Sequence, residues 1–98
     1  MTIPADKNIV LNLGGFTLTN KSGHTITNNG TLTIEGSGTV DNVTHRKAAI
    51  YNNEGGTVIL NGGTYTRSQE AGADADNSGG NSYYNIVNLG TMTINDGV

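Results

Sequence analysis

The chain has no cysteine and no tryptophan, one proline and one phenylalanine. Without cysteine it has no disulfide framework and no thiolate metal site. Charge is scarce: 13% of its 98 residues are Asp, Glu, Lys or Arg, and the net charge is −3. Five basic residues against eight acidic ones cannot form the basic stripe that nucleic acid needs. No apolar run approaches the roughly 20 residues of a membrane span. Long glycine-free stretches are missing too. The longest has 16 residues, from Thr39 to Glu54, and carries β-branched Thr39, Val40, Val43 and Thr44. Glycine costs about 1 kcal/mol at each interior helix position, so a helical bundle is excluded.

What is abundant is glycine, asparagine and threonine, 43 residues of 98. Apolar residues recur among them in short alternating groups rather than being absent, which argues against disorder. The groups repeat. Gly30-Thr31-Leu32-Thr33-Ile34 returns as Gly90-Thr91-Met92-Thr93-Ile94, and Gly56-Thr57-Val58-Ile59-Leu60 shares the outline. Ile9-Val10-Leu11-Asn12-Leu13-Gly14-Gly15 is a looser copy. The apolar pairs Leu11/Leu13, Leu32/Ile34, Val58/Leu60 and Met92/Ile94 each stand two residues apart, which puts both members on one strand face.

A second strand type precedes the first. Ile26-Thr27-Asn28, Ile50-Tyr51-Asn52 and Ile86-Val87-Asn88 each lead into Gly-Thr. A third follows a glycine bend, at Phe16/Leu18, Val40 and Tyr65. Asn-Gly is also a hairpin signal, but hairpins would recur every 8–12 residues. Here three strand types recur in fixed order at spacings of 21, 26 and 34 residues, counted from the pairs above. That predicts an all-β, single-stranded parallel β-helix, or β-solenoid, of about four coils. Ile26, Ile50 and Ile86 should stack, as should Leu32, Val58 and Met92. Thr31, Thr57 and Thr91 should form an outward row, and Asn and Gly the corners. Stacked Asn side chains should bond along the axis. The whole of 1–98 reads as one such segment of a longer protein, with a loop insertion at 67–82. Both ends expose strand edges, so self-association through the coil ends is expected.

These residues resemble a known family. The opening stretch Thr2 to Thr19, the Gly-Thr-Leu-Thr-Ile units and Asn61-Gly62-Gly63-Thr64-Tyr65 resemble right-handed parallel β-helix proteins of the pectate-lyase-like type. The closest pattern is that of adhesin-like repeats in gut-bacterial surface proteins and of phage tail or fibre proteins. The resemblance implies a right-handed helix, an extracellular, cell-surface or virion location, and a polysaccharide or host surface glycan as partner. Polysaccharide lyases of the fold use acidic clusters that bind Ca²⁺ with a basic residue, and its hydrolases use stacked aspartates. Here no Asp-Asp set stacks on the repeat strands, and Glu35 shares its column with Asn95 and Asn61. The expectation is therefore a non-enzymatic stalk or binding segment. The alternative is a fragment of a polysaccharide lyase or hydrolase whose catalytic residues lie outside this window.

Three groups are candidate sites. His45-Arg46-Lys47 concentrates positive charge before a strand and could contact an acidic sugar; a solvated corner is the plainer reading. In the insertion, Asp74, Asp76, Ser78 and Gly79 stand at offsets 1, 3, 5 and 6 of a Ca²⁺ loop. Asn85 then occupies the place of the bidentate Glu, so Ca²⁺ is a weak expectation and no other cofactor is implied. Tyr83 and Tyr84 alternate, so one should face out, where a ring beside Asn and Asp suits a sugar. Against this, His24, Ala48 and Tyr84 share a column two residues before the stacked isoleucines. An inward column would make His24 a packed core residue and Tyr84 a corner filler.

Overall fold

The computed structural model describes residues 1–20, 22–44, 47–68, 84–95 and 98. Every regular element among them is a strand. The first coil holds β1 (Thr2–Ile3), β2 (Asn8–Asn12) and β3 (Thr17–Leu18). The second holds β4 (Ile26–Asn28), β5 (Thr31–Glu35) and β6 (Thr39–Asp41). The third holds β7 (Ile50–Asn52), β8 (Thr57–Leu60) and β9 (Thr64–Thr66), and the fourth β10 (Ile86–Asn88) and β11 (Thr91–Ile94). Each strand pairs in parallel with its counterpart in the next coil. Three sheets result, ordered β1-β4-β7-β10, β2-β5-β8-β11 and β3-β6-β9. This is a parallel β-solenoid.

The stacking follows the sequence repeat. Ile26 pairs with Ile50 and Ile50 with Ile86. Leu32 pairs with Val58 and Val58 with Met92. Alternation sends these side chains inward, and Ile26, Leu32, Ile34, Val40, Ile50, Val58 and Leu60 are fully buried. Each such residue contributes about 1.5–3 kcal/mol of apolar burial. The outward row is Thr31, Thr57 and Thr91, in register. In the third sheet Leu18, Val40 and Tyr65 stack.

One register differs from the sequence reading. Ile9 and Leu11, not Leu11 and Leu13, stand opposite Leu32 and Ile34. The true step is 23 residues, from Ile9 to Leu32. A two-residue shift leaves every side chain on the same face, so alternation could not separate the two alignments. Leu13 belongs to the following corner, where it is buried and its N–H donates to the Glu35 carbonyl.

The corner between the first and second sheets is built from asparagine. Asn28 and Asn52 are completely buried. Asn28 Nδ2 donates to Asn52 Oδ1 at 2.8 Å, and Asn52 Nδ2 to Asn88 Oδ1 at 2.8 Å. Each amide also bonds the backbone at its own corner: Asn28 Nδ2 reaches the Gly30 carbonyl, and Gly30 N–H returns to Asn28 Oδ1. The chains of neighbouring coils pass very close here. A Cβ on Gly56 would strike Asn52 Oδ1, and one on Gly90 would strike the Gly56 carbonyl. The Asn-x-Gly spacing thus meets two demands at once: a buried amide ladder and room for the next coil.

Candidate functional site

The corner between the third sheet and the first is built differently. Asp41 ends β6, in register with Thr66 at the end of β9. Its buried carboxylate accepts from Thr66 Oγ1 at 2.5 Å, from the Ser68 N–H at 2.9 Å and from Ser68 Oγ at 2.6 Å. Burial pushes the Asp41 carboxyl up, but the Ser68 hydroxyl, the Thr66 hydroxyl and the Ser68 N–H outweigh it. The net result lies below the ordinary carboxylate value. Asp41 is a brace across two coils.

Beside it sits a second buried knot. Asn42 Nδ2 lies 2.8 Å from the Gly23 carbonyl and 2.9 Å from the Ala48 carbonyl, and Asn42 Oδ1 accepts the Thr44 N–H. Thr25 Oγ1 donates to the Asp41 carbonyl at 2.7 Å. Thr25 and Asn42 are each 1% exposed, so these bonds are required to offset the loss of water. None of this cluster was singled out from the sequence. The legible signal was the register, which places Asp41 one coil away from Thr66.

The two ends of the insertion meet at this corner. Arg67 Nε donates to the Lys47 carbonyl at 2.7 Å, and Asn85 Nδ2 to the Tyr65 carbonyl at 3.2 Å. Ala49 N–H donates to the Asn85 carbonyl at 2.8 Å. Lys47 and Tyr84 are therefore brought to one corner of adjacent coils. Tyr84 is 71% exposed. This corrects the expectation that its column points inward: Ala48 is buried, but Tyr84, first after the insertion, turns outward. Tyr65 takes the corner-filling role instead. It is half-buried, its hydroxyl donates to the Gly62 carbonyl at 2.7 Å, and burial pushes its pKa up to about 12.

His24 is held as a packed residue. Its Nδ1 accepts the Ala48 N–H at 2.9 Å, and its ring lies 4.3 Å from that of Tyr51. That acceptor role requires the neutral ring. Burial, and then the Lys47 charge, lower its pKa below the ordinary histidine value. His45, Arg46 and Tyr83 lie outside the described residues, as do Asp74, Asp76 and Ser78 of the Ca²⁺ expectation. Among the described residues there is no pocket and no cluster of three metal-ligating side chains. Nor is any helix among them long and apolar enough to cross a membrane.

No protein-family model, curated protein or solved structure matches this chain.

Proposed function

We propose that the chain is a non-enzymatic structural and binding segment of a pectate-lyase-like β-helix protein. It serves at a cell surface or on a virion as a stiff spacer with a recognition corner on its side. The observation that carries this reading is the unbroken register of the coils, tied along the axis by the Asn28-Asn52-Asn88 ladder. Such a stack is stiff because each coil shares backbone and side-chain bonds with the next. The one buried carboxylate, Asp41, is consumed as a brace between coils.

The recognition corner is where the insertion leaves and returns. Insertions on solenoids collect at corners and often lie on the binding face. Lys47 offers a positive charge, and Tyr84 an exposed ring with a hydroxyl, the combination that suits a surface glycan with acidic groups. The test is a glycan array probed with the 98-residue chain, followed by a reducing-end assay on every glycan retained. Retention that Tyr84→Ala and Lys47→Ala each weaken, with no new reducing ends or unsaturated uronates, is the expected result. Turnover of any polysaccharide would overturn the non-enzymatic reading in favour of a lyase or hydrolase of this fold.

A further inference from the structure

The two ends of the stack match each other. The turn between the first and second sheets alternates in length along the rod. It spans Pro4-Ala5-Asp6-Lys7 in the first coil, Asn29-Gly30 in the second, Asn53-Glu54-Gly55-Gly56 in the third and Leu89-Gly90 in the fourth. The long turns are alike: Lys7 N–H donates to the Pro4 carbonyl at 3.1 Å, and Gly56 N–H to the Asn53 carbonyl at 2.9 Å. A coil laid on the fourth would continue this alternation with a long turn. The first coil of a second copy has one.

The backbone edges match as well. Thr91 and Asn95 donate back to Gly56 and Leu60 of the third coil. By the two-residue alternation of a strand, Met92 and Ile94 turn their N–H groups to the open edge. At the other end the Lys7 carbonyl and the Leu13 N–H engage the second coil, so Asn8, Val10 and Asn12 face outward from the stack. The side chains follow. In register, Met92 and Ile94 would meet Ile9 and Leu11 of the second copy, continuing the inward file. Asn95, which already donates to Asn61 at 2.5 Å, would meet Asn12 of that copy. Ile94 is 58% exposed and Ile9 37%. The described residues of the fourth coil carry no charged side chain, so nothing there repels an added strand.

We infer that copies of this chain stack head to tail, the fourth coil of one against the first coil of the next, extending the β-sheets in register. The contact is heterologous and does not close on itself, so it produces a one-dimensional series rather than a dimer. The joint is weaker than a contact inside the chain. Ile3 stands in the ladder column where the other coils have asparagine, so Asn88 finds no amide there. Lys7 stands where Gly56 approaches the Asn28 carbonyl at 3.0 Å from a would-be Cβ. Association is therefore reversible on dilution. It uses the coil faces, and the glycan reading uses a side corner, so either can fail alone.

The test is sedimentation velocity on the wild-type chain and on two variants that block one end each. Ile94→Pro and Val10→Pro each remove an outward N–H without touching a bond inside the chain. The wild type should grow with concentration past dimer, each variant should stay monomeric, and their equimolar mixture should stop at a heterodimer. Circular dichroism confirms that the variants are folded; if a proline variant is not, Ile94→Lys and Ile9→Lys put an inward charge on the same edges. A wild type that stays monomeric at its solubility limit overturns the inference. So does a one-end variant that dimerises by itself, which would mean that like ends pair.

Discussion

Two corners of this solenoid solve the same problem with different chemistry. At both, the chain leaves a sheet and buries polar backbone that must find partners. At the Asn28-Asn52-Asn88 corner the answer is repetition: one residue type and one set of bonds, rung after rung. At the Asp41 corner the answer is singular. A carboxylate, two hydroxyls and the amides of Asn42 and Asn85 are fitted once, around the root of the insertion. The repetitive corner transmits the stack, and the singular corner holds what departs from it. Stiffness and recognition are thereby separated on one rod.

The comparison breaks most sharply at Asn52. Asn52→Leu removes the central amide of the ladder and leaves its backbone and amide partners short of bonds in a buried place. Each buried polar group left unpaired costs about 1–3 kcal/mol, so chemical denaturation should show a loss of about 3 kcal/mol or more. Asp41→Ala strands the Ser68 N–H and two hydroxyls, but nearer the surface. A smaller loss, about 1–2 kcal/mol, is expected. It should be accompanied by faster tryptic cleavage after Arg67, which Asn52→Leu does not produce at matched stability.

pH should resolve the singular corner and leave the ladder silent, because amides do not titrate. His24 has a lowered folded pKa. Its contribution is fully present above the unfolded value of 6.5 and is lost as pH falls through the folded value. Asp41 also has a lowered folded pKa, so its contribution holds above 3.8 and is lost as pH falls further. Thermal melts across pH should therefore show two acid steps. His24→Gln should remove the upper one and Asp41→Asn the lower. The smallest effect belongs to Tyr84→Ala. As an exposed side chain it should change stability by less than about 0.5 kcal/mol, while weakening glycan retention.

The same contrast explains what was legible in the sequence. Ile26, Ile50 and Ile86, and Leu32, Val58 and Met92, announce themselves because a solenoid stacks like on like, so chemistry recurs at the coil period. The corner asparagines are legible for the same reason. The first coil was misread by two residues because Ile9, Leu11 and Leu13 alternate without a break, and its turn carries Lys7 where later coils carry glycine. Asp41, Ser68 and Asn85 occur once each, so no period marks them. Their partnership exists only after the coils are laid in register. Tyr84 broke its column because the chain re-enters the rod there, and the first residue back is not yet bound by the strand's alternation.

The account stands on parallel coils joined by the asparagine ladder, and side-chain amide NMR tests that directly. In a chain labelled at asparagine, the Asn52 amide protons should show through-space contacts to both Asn28 and Asn88, and should exchange slowly with solvent. An Asn-Gly hairpin at residues 28–31 would instead give cross-strand contacts between Ile26–Asn28 and Thr31–Thr33, with the Asn52 amide exposed. That result would contradict the solenoid.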